Sequence, residues 1–198
     1  MYKAMDTRQL GDLLIYTFNI LLICLPLLAS NALVATYYSR EGRAGYMKKT
    51  KPIYAAYPLF TKLVFNVIFS IPTVFVTSVS FSIGEIVILG FAILFLHLGH
   101  MIYSANLDIM NPQNEQYATT GGIIDNPNEN KSTILAFILS AAYAIIAYKL
   151  LSEASLGSEV GSVMLGLLKL MVISIAFFGS TLLMFIKRIK AFYYEIQG

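Results

Sequence analysis

The chain has 198 residues, 57% of them hydrophobic and only 13% charged, with a mean hydropathy of +0.69. Ordinary soluble domains carry roughly a quarter charged residues, so the composition indicates a polytopic membrane protein and excludes a soluble domain. The formal net charge of +3 comes from basic residues gathered beside apolar runs, a pattern suited to anionic lipid head groups and not to nucleic acid. The single cysteine, Cys24, lies inside an apolar run, which excludes a disulfide framework and a cysteine metal cluster.

Residues 1–12 are polar and of mixed charge, and the apolar run behind them is too long for a secretory signal core. Residues 13–35 are long enough to cross a bilayer; Pro26 interrupts them, and they close on the polar pair Ser30 and Asn31. A basic loop follows at 39–58. Its Arg40, Arg43, Lys48, Lys49 and Lys51, with Lys62 just beyond, place it in the cytoplasm. Basic, aromatic and small apolar residues alternate there, predicting an amphipathic segment lying along the membrane surface. With no Trp in the chain, Tyr37, Tyr38, Tyr54, Tyr57, Tyr193 and Tyr194 form the aromatic belt on this basic side.

Residues 59–83 are the second predicted span. Asn66, Ser70, Thr73, Thr77 and Ser80 recur at intervals of three and four, which puts them on one helical face. Such a stripe turns toward other helices as packing contacts or lines a water-filled path, and Pro72 permits a bend in its middle. Gly84 and Glu85 read as a short turn, and residues 86–105 as the third span. Its second half carries His97, His100 and Ser104, followed by Asp108 at the same helical spacing.

Residues 106–131, with Asn-Pro twice and Gly-Gly once, read as a polar cytoplasmic loop containing Asp108 and Glu115. Residues 132–151 form the fourth span, and the short acidic stretch behind them suits the outer face. Residues 163–186 form the fifth, ending in Lys187, Arg188 and Lys190. These two basic clusters, four crossings apart, indicate the same side of the membrane. The expected architecture is a single all-α transmembrane domain over 1–198, a bundle of about five spanning helices with the N-terminus outside and the C-terminus cytoplasmic.

His97 and His100 stand three apart on one helix and can face one ligand, with Asp108 further along. Two histidines do not complete a metal site, so the alternatives are interior histidines or residues lining a path. A metal or haem redox protein using this pair is the rival functional class, and a non-transporting accessory subunit a third. Lys169 lies inside the fifth run, where an ammonium group either serves function or snorkels to the surface. No P-loop, H-E-x-x-H or G-x-S-x-G motif occurs, so neither an enzyme nor a bound cofactor is expected.

Two segments carry a resemblance: Ser39-Arg40-Glu41-Gly42 leading through the Lys-rich turn to Pro52, and Leu107-Asp108 through Pro112 to Asn114-Glu115-Gln116. In order and spacing they resemble the permease subunits of bacterial ABC transporters, specifically the large export-type membrane subunits with no fused ATPase. The likeness covers about the first two thirds of the chain. It departs at residues 119–125, glycine-rich here, where the family usually has a tryptophan and a lysine-containing stretch.

The resemblance implies a multi-pass component of the bacterial cell membrane. It would work with a separate P-loop ATPase and with a second membrane half or a second copy. Arg40, Glu41, Arg43, Lys48, Lys49, Lys51, Asp108 and Glu115 are then candidates for an ATPase-coupling surface. Asn66, Ser70, Thr73, Thr77, His97, His100, Ser104 and Lys169 are candidates for the path. Export of a short N-terminal tail lacking a strong basic anchor adds the expectation that the chain is the C-terminal part of a longer permease.

Overall fold

A computed structural model describes residues 7–41, 64, 68, 82–113, 115, 117, 126–156 and 161–194, without the side chains of 41, 154–156, 161, 162 and 189–194. Every regular segment among the described residues is helical. Helix α1 spans Thr7–Ala29 and continues as a 3₁₀ segment, Ser30–Thr36; a second 3₁₀ turn covers Ser39–Glu41. Helices α2 (Ile83–Met110), α3 (Pro127–Leu156) and α4 (Gly161–Tyr194) follow. Four helical stretches, Thr7–Thr36, Ile83–Met110, Pro127–Glu153 and Val163–Arg188, are long and apolar enough to cross a membrane. The span expected at 59–83 lies outside the described residues except for Val64 and Ile68, both helical, and for Ser82 and Ile83 at its end.

Local chemistry sets the helix ends, and at two of them it moves a boundary expected from the sequence. Gly84 and Glu85 do not form a turn. They belong to the first turn of α2, because the Glu85 carboxylate reaches back to accept hydrogen bonds from the Ser82 amide (2.9 Å) and hydroxyl (2.8 Å). At the start of α3, Asn126 Oδ1 accepts from the Asn128 amide at 2.8 Å, with Pro127 in the first helical position. This Asn-Pro pair opens a helix, since an asparagine cap supplies an acceptor and proline needs no donor there. The loop expected over 106–131 is therefore shorter: α2 extends to Met110 and α3 begins at Pro127.

Helix α1 changes character at its end. Pro26 withdraws one backbone donor from it, and from Ser30 the chain tightens to 3₁₀ geometry. The Ser30 hydroxyl donates to the Leu27 carbonyl (2.7 Å), and the Thr36 hydroxyl to the Leu33 carbonyl (3.0 Å). The tighter winding changes which side chains share a face. As a result Asn31, Val34, Ala35 and Thr36 all turn inward.

Helix α1 packs chiefly along α3, and α2 chiefly along α4, while the 3₁₀ segment touches both α2 and α3. One apolar core joins Leu13, Ile20, Ile23 and Leu27 of α1 to Leu89 and Ile93 of α2, Ala147 and Leu151 of α3, and Leu167 and Leu170 of α4. A second, near the 3₁₀ segment, collects Val34, Met101, Ile102, Ala105, Ile109 and Phe185. The opposite faces are also apolar: Leu14, Ile15 and Phe18 on α1, Ile134, Phe137 and Ile138 on α3, and Val172, Ile173 and Leu183 on α4 are exposed. Apolar residues all round a helix fit a bundle whose outer solvent is lipid.

Gly99 sets the separation of α2 and α4. A Cβ added there would lie 2.6 Å from Phe177 Cδ1 and 3.1 Å from the Phe178 Cα. Gly179, by contrast, has nothing within 4 Å of such an atom. Gly99→Ala is expected to lower stability by about 1–3 kcal/mol through overpacking, and Gly179→Ala to leave it unchanged or raised. Thermal unfolding of both variants in detergent checks this.

Candidate functional site

Four polar side chains repeat along one face of α2 at intervals of three and four: His97, His100, Ser104 and Asp108. All four are essentially inaccessible, at 0–1% exposure. In a membrane such a stripe must find partners inside the protein. Two elements supply them: the 3₁₀ continuation of α1 with the turn behind it, and the first two turns of α3. The result is a continuous buried polar seam with a histidine end and an aspartate end.

At the histidine end, Asn31 Nδ2 lies 3.2 Å from His97 Nδ1, His100 Nδ1 and the His97 carbonyl. His100 Nε2 lies 3.2 Å from the Ser132 carbonyl. A carbonyl only accepts, so the contact with Ser132 favours a proton on Nε2, with Nδ1 facing Asn31; the Leu28 carbonyl also faces this ring. An amide nitrogen has two hydrogens for these three acceptors. Among the described residues Asn31 Oδ1 and His97 Nε2 make no hydrogen bond, although the Leu27 carbonyl faces the His97 ring. The Ser104 hydroxyl donates to the His100 carbonyl at 2.8 Å and sits 2.7 Å from the Ser132 hydroxyl, tying α2 to α3 one turn further on.

This geometry bears on what the histidines can bind. The amide nitrogen of Asn31 lies 3.2 Å from each Nδ1 atom and engages both of the atoms that a bridging ion would have to bind at about 2.0–2.1 Å. Among the described residues, no group of three or more His, Cys, Asp or Glu side chains could hold a metal ion. Nor is the seam a chain of proton carriers. The Asn31 amide and the Ser132 carbonyl interrupt it, and neither group both gives and takes a proton.

At the aspartate end the Asp108 carboxylate is saturated with donors. Oδ2 accepts from the backbone amides of Tyr38 (2.6 Å) and Ser39 (2.9 Å), and Oδ1 accepts from the Ser39 hydroxyl and from Asn128 Nδ2 at 3.5 Å. The Ser39 hydroxyl in turn accepts from the Gln113 amide at 2.8 Å. Asn128 Nδ2 also donates to the Asn111 carbonyl at 2.8 Å. Three parts of the chain therefore meet at one carboxylate: the turn at Ser39, the end of α2 and the start of α3.

Several residues expected at a functional site fall elsewhere. Asp108 does not belong to an open surface, because burial and its four donors make it an internal tie. Arg40 and Glu115 are exposed, and Glu41 lies in the 3₁₀ turn that the carboxylate holds. Arg43, Lys48, Lys49, Lys51, Asn66, Ser70, Thr73 and Thr77 lie outside the described residues. Lys169 is exposed on α4, apart from the buried seam.

Sequence reasoning missed Asn31, Asn128 and Ser132 as partners. Asn31 had a visible signal, a primary amide within an apolar run. Asn128 and Ser132 share one face of α3, but that is legible only once the helix is known to begin at Pro127. It also missed Asn106, on the face of α2 turned away from the seam: it is 1% exposed, and among the described residues neither amide atom has a partner.

Comparison with protein-family models, curated proteins and solved structures gave no match.

Two of the buried asparagines, Asn31 and Asn106, predict opposite outcomes. Asn31→Leu strands the histidine acceptors and is expected to destabilise by about 1–3 kcal/mol; Asn106→Leu removes two unsatisfied groups at similar volume and is expected to stabilise by about 1 kcal/mol. Parallel thermal melts of the two variants make the comparison.

Proposed function

We propose that this chain is the membrane-spanning permease component of an ATP-driven, export-type ABC transporter of a bacterial cell membrane, coupling a separate P-loop ATPase to movement of its helices. The observation that carries the reading is the meeting of the two segments on which the resemblance rests. Ser39, in the Ser-Arg-Glu-Gly turn, and Asp108, in the Leu-Asp segment, are 69 residues apart in sequence and joined by two hydrogen bonds; the neighbouring Tyr38 amide donates a third to the same carboxylate. The described parts of two stretches recognised separately by their residue types are thus in direct contact, which supports reading them together.

In this reading the basic stretch Arg40, Arg43, Lys48, Lys49 and Lys51 receives the ATPase at the cytoplasmic face, with Glu41 and Glu115 beside it. Five crossings, with the N-terminus outside and the C-terminus cytoplasmic, belong to the same proposal. So does a second membrane half or second copy to complete the path. Asn66, Ser70, Thr73 and Thr77 are proposed to line that path. An amphipathic segment joined directly to spanning helices can turn a push from a cytoplasmic protein into helix movement. The same charges also attract anionic lipid, which favours holding that segment at the surface.

The test is affinity purification from native membranes in mild detergent, with co-purifying chains identified by mass spectrometry and assayed for ATP hydrolysis. A P-loop ATPase at stoichiometric yield is expected. Replacing Arg43, Lys48 and Lys49 together by Glu should reduce its recovery by at least about tenfold, as reversal of several interfacial charges does, with membrane insertion unchanged. Purification without an ATPase, or full recovery on the triple variant, overturns the reading.

A further inference from the structure

The aspartate end of the seam suggests how motion at the membrane surface would reach the helices. Asp108 is fully buried, and all of its described partners are neutral: two backbone amides, one hydroxyl and one carboxamide. A buried carboxylate held only by neutral donors is costly if any donor withdraws, since the charge then loses part of its compensation in a medium that cannot replace it. Loss of one donor therefore leaves the cost of keeping the charge buried to the donors that remain. The bonds connect elements that the chain separates by 69 residues on one side and 20 on the other.

The wiring is asymmetric in a useful way. On the side of the basic stretch, Asp108 grips backbone amides, so it holds the path of the chain at Tyr38 and Ser39 and not merely a side chain. That grip sits immediately before Arg40, where the basic stretch begins. On the helix side, Asp108 is in the last turn of α2, Gln113 just beyond α2 bonds the same serine, and Asn128 is in the first turn of α3. By contrast, the α2–α4 contact through Gly99, Phe177 and Phe178 is apolar packing.

We propose that Asp108 is a positioning residue that clasps the turn at Tyr38–Ser39 to the α2–α3 corner, so that a displacement of the basic stretch is delivered to α2 and α3 together. The clasp rests on the permease reading for the source of that displacement, but not for its own existence. Its parts are the Asp108 carboxylate, the Tyr38 and Ser39 amides, the Ser39 hydroxyl, the Gln113 amide and the Asn128 carboxamide. Opening it frees the turn from both helices in one step.

The experiment is hydrogen exchange on the full chain, purified from native membranes with its co-purifying subunits into lipid nanodiscs. Exchange is read over residues 36–41 and 107–113 with and without MgATP. Without nucleotide, Ser39→Ala and Asp108→Asn are each expected to speed exchange in both segments by at least about tenfold, because loss of a hydrogen bond to a buried charge opens a cooperative unit. Ser39→Thr, which keeps the hydroxyl, should stay near wild type. Exchange within about twofold of wild type in both Ser39→Ala and Asp108→Asn overturns the clasp.

With MgATP, wild type and Ser39→Thr should change exchange in both segments, and Ser39→Ala in 36–41 alone. A purely structural role for Ser39 would not separate the two segments in this way. An ATP response that still reaches 107–113 undiminished in Ser39→Ala overturns the transmission role. If wild type itself does not respond to MgATP, the permease reading fails, and the nucleotide-free comparison decides the clasp by itself.

Discussion

A carboxylate placed where water cannot reach it constrains everything around it. Asp108 ends an apolar helix at a point where α2, α3 and the turn behind α1 converge, and its negative charge is tolerable there only while N–H and O–H donors surround it. Two of these donors are backbone amides, so the carboxylate dictates the course of the main chain at Tyr38 and Ser39. Through Asn128 it also fixes how the start of α3 approaches the end of α2. Replacing this arrangement by apolar packing would leave the helices in contact but remove the orientation that directed bonds impose.

The remainder of the seam extends the same logic along α2. Ser104 and Ser132 meet one turn from Asp108 and Asn128, and His100 reaches the Ser132 carbonyl, so α2 and α3 are tied at successive levels. Asn31 completes it by inserting an amide between the two histidines. Apolar side chains gain little from leaving lipid for another apolar surface, so directed polar contacts and close packing together choose one helix arrangement among many. The seam joins the first part of the chain to α2 and α3, while α4 is held by close packing at Gly99 and by the Tyr143–Ser174 hydrogen bond of 2.8 Å.

Much of this was legible in the residues. The spans around 13–35, 86–105, 132–151 and 163–186 each overlap a helix, because a run of about 20 apolar residues has few alternatives to helix in lipid. The stripe His97, His100, Ser104 and Asp108 was visible from spacing alone. Its partners were not. The Asn-Pro pair at 126–127 carried the same letters as a turn and acts as a helix start; Ser82 and Glu85 acted as a reciprocal cap where a glycine suggested an interruption. In both cases a side-chain hydrogen bond a few ångströms long overrode the composition of the window.

What the sequence determined by itself was the class of molecule and the location of its polar stripe, since both follow from hydropathy and from the 3.6-residue period, which are local properties. Only the tertiary structure decided that Asp108 is an internal tie and not part of a surface, that Asn31 fills the space between the histidines, and that Ser39 and Asp108 touch. Each of those facts joins residues 66 to 70 positions apart. No periodicity reports which distant donor meets a given acceptor; that is settled when helices pack and most buried polar groups find a partner at hydrogen-bond distance.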